Sequence, residues 1–218
     1  MEKDMEDLQS LYRARYGTPA AEVIKLAGAG GDRQYYRMRS DAGCCIGTVG
    51  DSERDCRAFI GLDRVFNRHG VPVPEIYGVS ADMRCYIQQD LGDKSLFSCL
   101  GSDEWRGLAE ESLKALVKFQ TVPESEWGQY AGYKPYSRRQ VMWDLNYFKY
   151  EYLKPARIDF DEDRLEDDME RLAEYLSGPA VGPQGFMMRD FQSRNVMIYD
   201  GQPWLCLLYT SPSPRDLS

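Results

Sequence analysis

Hydrophobic periodicity changes character once along the 218 residues, near residue 90, and that change limits the folds open to the chain. Before it, short apolar runs alternate with turn residues. Residues 23–26, 34–39, 43–49, 75–79 and 83–88 read as strands, each bounded by glycine, proline or polar residues. Leu8, Leu11 and Tyr12 repeat at helical spacing within a leading helix, 4–16, that Gly17 stops. Phe59, Leu62, Val65 and Phe66 form the buried stripe of a second helix, 52–68. Ser52 is placed to cap it, and Glu53 and Asp55 suit the positive end of its dipole. Val71-Pro72-Val73-Pro74 must be extended, because each proline pushes its predecessor out of the helical region. After residue 90 the period is helical. Segments 103–120, 137–153 and 164–176 carry apolar stripes, the first through Trp105, Leu108, Leu113, Leu116, Val117 and Phe119. Strands followed by helices predict an α+β chain. A small lobe of five antiparallel strands and one helix comes first, and a mainly helical lobe follows.

The totals exclude several classes. An apolar fraction of 43% supports a core, and a formal net charge of −8 does not suit non-specific nucleic-acid binding. No apolar run approaches the roughly 18 residues that span a membrane. The N-terminus lacks the shape of a signal peptide. Six cysteines without a Cys-x-x-Cys pair predict reduced thiols and a cytoplasmic setting. The single histidine, His69, precedes a glycine and reads as a helix C-cap, which excludes multi-histidine zinc sites.

The chemistry concentrates in residues 185–198. Phe186-Met187-Met188 leads into Arg189 and Asp190, Asn195 stands five residues after that Asp, and Val196-Met197-Ile198 follows. Two short strands around a polar loop are predicted. Asp-x-x-x-x-Asn is what phosphoryl transfer from ATP asks for: a carboxylate to take a proton from, or orient, the attacking hydroxyl, and an amide oxygen to help hold Mg²⁺. An Asx-rich turn closing a hairpin reads the same residues without chemistry. Upstream, Gly28, Ala29, Gly30 and Gly31 sit between two strands, where glycines let backbone N–H groups approach an anion closely. A flexible hairpin turn is the alternative. Gln89, Asp90, Leu91 and Gly92 connect the last strand to the helical part, where an adenine can meet a connector's backbone. Trp127, Tyr130, Tyr133 and Tyr136 either wall a small-molecule pocket or pack as core. The acidic stretch 159–168 either attracts a cationic substrate or caps a helix.

With these stretches in order, the chain resembles the aminoglycoside phosphotransferase and choline kinase family, within it most closely the bacterial cell-wall sugar kinases. The resemblance rests on residues 28–37, 71–76, 89–93 and 189–195. It implies a bilobal kinase-like fold, with a nucleotide-binding lobe over 1–89 and a helical lobe with the catalytic loop over 90–205. It implies ATP and Mg²⁺ as cofactors and a small-molecule hydroxyl, on a sugar or aminoglycoside-like compound, as acceptor. Asp190 becomes the catalytic base or hydroxyl-positioning residue and Asn195 a Mg²⁺ ligand. Residues 28–31 cover the phosphates, and Gln89, Asp90 and Leu91 meet the adenine. Two departures stand out: Met188 replaces the family's histidine, and strand 43–49 lacks the phosphate-binding lysine, for which Lys25, Arg33 and Arg37 are the candidate substitutes.

The family places a second Mg²⁺-binding Asp where this chain has Leu207. Residues 208–216 resemble translated sequencing-adaptor read-through. The tail 206–218 is therefore expected to be non-native, on a kinase truncated near residue 205, and this chain is expected to be an inactive fragment. A non-catalytic, kinase-like nucleotide-binding module is the other reading.

Overall fold

A computed structural model describes residues 2–26, 33–130, 137–178, 185–188 and 190–206. They fall into two compact units, residues 1–132 with 185–218, and residues 133–184. The lobe boundary expected at residues 89 and 90 lies inside the first unit.

The first unit opens with α1 (Glu2–Tyr16), β1 (Glu22–Lys25), β2 (Gln34–Ser40), β3 (Gly43–Val49), α2 (Glu53–Arg68), β4 (Ile76–Val79) and β5 (Cys85–Gln89). The strands make one antiparallel sheet in the order β1-β2-β3-β5-β4. Strand alternation divides its side chains between two faces. Cys85 and Ile87 join Met38 and Cys45 against Leu8 and Tyr12 of α1. Tyr86, between them in sequence, turns the other way onto Cys56, Phe59 and Ile60 of α2. The α2 N-terminus forms as its sequence predicts: Ser52 Oγ accepts the Asp55 N–H at 3.1 Å. At the other end His69 is the C-cap, and its Nε2 lies 2.8 Å from Glu126.

The unit continues through α3 (Trp105–Gln120) and the short α4 (Glu124–Trp127). Its largest apolar cluster joins Leu62, Val65 and Phe66 of α2 to Phe119, Trp127, Phe186, Val196 and Leu205. Trp127 is buried and donates Nε1–H to the Val122 carbonyl, and Tyr130 packs on the same cluster, so these two aromatics are core. Tyr133 and Tyr136 lie outside the described residues.

In the second unit, the helix expected over 137–153 is α5 (Arg138–Phe148) followed by a wider π-helical turn, Lys149–Leu153. Lys149 is buried there and places its ammonium 2.6 Å from both Glu162 and Glu166 of α6 (Glu162–Ser177). Periodicity alone does not register a one-residue widening, which here accompanies an ion pair to another helix. Asp161 caps α6 by accepting the Arg164 N–H at 3.0 Å. The acidic stretch thus serves capping and ion pairing.

Candidate active site

The site is built on a hairpin of β6 (Val196–Tyr199) and β7 (Gln202–Leu205) and the turn that precedes it. The strand expected over 186–188 does not form. That segment is anchored through side chains instead: Phe186 meets Phe66, Phe119 and Trp127 edge-on, at ring-centroid distances of 5.1, 5.2 and 5.0 Å. Gly185 allows the approach, since a Cβ there would stand 2.6 Å from the Gln120 carbonyl oxygen. Met188, where the resemblance leads one to expect histidine, packs with Phe191 on this cluster.

The turn is then pinned. Asn195 is 8% exposed, and its Nδ2 donates to the Asp190 carbonyl at 3.0 Å. Its own N–H donates to the Gln192 carbonyl at 2.8 Å, and the Cys206 N–H donates to its carbonyl at 3.1 Å. Six residues, 190–195, are thereby closed into one turn with exposed Asp190 at its head. With Nδ2 committed inward, Asn195 Oδ1 makes no hydrogen bond among the described residues.

The hairpin is stitched to the segment just after the connector. The Leu96 and Phe97 N–H groups donate to the carbonyls of Val196 and Ser193, at 2.8 and 2.9 Å, and the Ile198 N–H donates to Lys94 at 2.7 Å. The Arg194 guanidinium lies 4.1 Å from the Phe97 ring centroid. On the other edge, the Leu205 N–H donates to the Pro72 carbonyl at 2.7 Å.

The connector leaves β5 with Gln89 donating its N–H to Glu75 at 2.9 Å. Leu91 is buried, its N–H forms no hydrogen bond among the described residues, and Gly92 turns the chain at φ +75°. Positive φ is a conformation that glycine adopts at low cost. Asp90 is held by Arg37 of β2 through Nε at 2.7 Å and Nη2 at 3.1 Å. Arg37 also grips Asp93, at 2.9 and 2.8 Å.

Arg37 is therefore paired with two carboxylates, Asp90 and Asp93. Lys25 is exposed and donates to Gln34 at 3.0 Å. Arg33 is 5% exposed, with its guanidinium 4.6 Å from the Phe59 ring centroid and Nη2 3.4 Å from the Asp55 carbonyl. Gly28, Ala29, Gly30, Gly31, Arg189 and Leu207 lie outside the described residues. The connector and the turn from Asp190 to Asn195 belong to one compact unit. Sequence reasoning missed the grip of Arg37 on Asp90 and Asp93 and the stitching of residues 94–97 to the hairpin. Both join positions far apart in the chain.

For Mg²⁺, the Asn195 amide oxygen is a hard donor of the right kind. No cluster of three His, Cys, Asp or Glu side chains that could hold a metal exists among the described residues. Among them, no helix is long and apolar enough to cross a membrane.

The chain's likeness to known proteins agrees with this geometry. At 23% identity over 197 residues, it is similar to an N-acetylmuramate/N-acetylglucosamine kinase of Pseudomonas putida, and the match covers 88% of this chain. The chain spans 56% of the length of that curated relative. Its fold resembles that of a putative aminoglycoside phosphotransferase from Ralstonia eutropha, with a TM-score of 0.62, 13% identity, and coverage of 92% of this chain and 62% of the other. It also resembles spectinomycin phosphotransferase APH(9)-Ia, solved with ADP and spectinomycin, with a TM-score of 0.56, 13% identity, and coverage of 92% and 70%. These likenesses establish a kinase-like α+β fold. Residues 23–208 match the model of the phosphotransferase enzyme family, and the chain belongs to that family.

Proposed function

We propose that the protein is an ATP-dependent phosphotransferase that moves the γ-phosphate of ATP to a hydroxyl of a small molecule, a sugar or aminoglycoside-like acceptor. The observation that carries this reading is the pinned turn. Asn195 spends its amide nitrogen on the Asp190 carbonyl, which fixes the spacing of the two residues and leaves Oδ1 without a hydrogen bond among the described residues. Exposed Asp190 orients the acceptor hydroxyl and takes its proton as the bond to phosphorus forms. The Leu91 N–H, unengaged among the described residues, is the donor offered to adenine, and residues 28–31 cover the phosphates. Asn195 Oδ1 is the ligand offered to Mg²⁺, which when bound neutralises charge on the β- and γ-phosphates. Of the three basic candidates for the missing strand lysine, Arg33 is the one we assign to the phosphate end, because it is buried on the α2 side of the sheet beside Asp55. The family membership and the sugar-kinase relative support this choice of acceptor class.

The test begins with binding. ATP with Mg²⁺ stabilises the chain by about 2.7 kcal/mol at a hundredfold excess over Kd. A thermal melt unmoved by ATP defeats the proposal. In any form of the protein that turns over, Asp190→Asn lowers kcat by about 10²–10⁴-fold and leaves the KM for ATP nearly unchanged.

A second reading, a nucleotide-binding module without catalysis, is favoured by one observation: β3 carries no lysine. ATP binding to a full-length protein that transfers no phosphate to any sugar or aminoglycoside would select it.

A further inference from the structure

Arg37 is the fourth residue of β2. Its guanidinium makes two forks. Nε and Nη2 donate to the two oxygens of Asp90 at 2.7 and 3.1 Å, and Nη1 and Nη2 donate to the two oxygens of Asp93 at 2.9 and 2.8 Å. Planar, bidentate pairing of this kind fixes orientation as well as distance. The Arg37 and Asp90 side chains are 18% and 11% exposed, while Asp93 is 82% exposed, so the first fork is the sheltered one. Asp90 does further work. Its Oδ1 accepts the Gly92 N–H at 2.9 Å, and its Oδ2 accepts the Cys44 S–H at 3.1 Å. One carboxylate thereby ties β2, β3 and the turn of the connector together.

We infer that Arg37 is a positioning residue for the nucleotide base, which fixes the backbone of residues 89–92 where adenine binds and does not itself touch phosphate. The inference rests on the proposal that the chain binds ATP. Two carboxylates already surround the guanidinium, and they repel any phosphate that approaches it. Swinging Arg37 to a phosphate would strand Asp90 in its sheltered place without its cation, and such a stranded charge is strongly unfavourable. The same bonds join the end of the connector to β2.

Adenosine, ADP and ATP discriminate between acting through the connector and touching phosphate. Each is titrated calorimetrically into the full chain, as wild type, Arg37→Gln, Arg37→Lys and Asp93→Asn. Loss of the forks weakens all three ligands by one common factor, about tenfold for Arg37→Gln, the size of one lost hydrogen bond. Arg37→Lys keeps the charge and the stem but cannot fork, so it loses a smaller common factor. It also carries the test if Arg37→Gln does not fold. Asp93→Asn, which affects only the exposed fork, stays within about twofold of wild type. A loss that grows from adenosine to ADP to ATP would place Arg37 on the phosphates and overturn the inference. Unchanged affinities in both Arg37 variants beside a binding wild type overturn it alone. A wild type that binds none of the three overturns the ATP proposal and the inference together.

Discussion

Asp63 stands in the middle of α2 with 1% of its surface exposed, and its Oδ2 has no hydrogen-bond partner among the described residues. Burial raises its pKa to about 8, with neighbouring Glu75 adding to the rise and Arg64 opposing it. In the unfolded chain this carboxyl ionises near pH 4, so between about pH 4 and 8 the folded state holds a proton that the unfolded state has lost. Stability is therefore full below pH 4 and declines as pH rises through that window. At about 1.4 kcal/mol per pKa unit, the loss is on the order of 5 kcal/mol. Asp63→Asn abolishes this difference: denaturant melts of variant and wild type coincide near pH 4, and the variant is the more stable at pH 8. Melts that stay parallel at both pH values would count against the burial argument. A sequence shows why Ser52 caps a helix, because donor and acceptor are three residues apart. It did not reveal the double grip of Arg37, whose partners are 53 and 56 residues away. It did not single out Asp63 either, since one acid beside an apolar stripe looks like any residue of the solvated face.

The elements themselves were largely legible. The five strands and the main helices lie where periodicity places them, because alternation and 3.6-residue spacing each reflect one buried face. Removing the cap through Ser52→Ala is expected to cost about 1 kcal/mol of stability, measured by urea denaturation. Segment 186–188 misled because an apolar triplet looks the same whether it joins a ladder or inserts a side chain into a core. Phe186 does the second, and Phe186→Ala is expected to cost about 3–5 kcal/mol by the same measurement. The loss should reach the active turn as well. Asn195, the proposed Mg²⁺ ligand, lies in the turn that follows Phe186, so this variant also weakens Mg²⁺-dependent ATP binding, whereas Ser52→Ala does not. The spacing of Asp190 and Asn195 was legible from the outset. The bond from the Asn195 amide to the Asp190 carbonyl was not, because side-chain orientation is set by what buries it.

At the scale of the whole molecule the two compact units differ in what holds each together. The first contains the three buried clusters formed by the described residues. In the second, the buried apolar residues among those described are Val141, Leu153, Met169 and Ala173, alongside the Lys149 ion pairs. Trp143, Tyr147, Phe148 and Tyr152 are about half exposed, stacked in pairs along one helical stretch. A unit with few buried apolar contacts opens at lower free energy. Amide hydrogen exchange should therefore be faster in peptides from 138–177 than in those from β2, β3 and β5. Equal protection in both would contradict this.

The second unit is also an insertion, because the chain leaves the first unit after residue 132 and re-enters it at 185. The turn bearing Asp190 and Asn195 and the β6–β7 hairpin come after that re-entry, and together they hydrogen-bond to residues 72 and 94–97, all upstream of the excursion. Over generations the inserted stretch is thus free to lengthen, shorten or be replaced without re-threading the hairpin that carries this turn. A lineage built this way can keep one way of handling its phosphate donor while its descendants diverge in the helices they carry between.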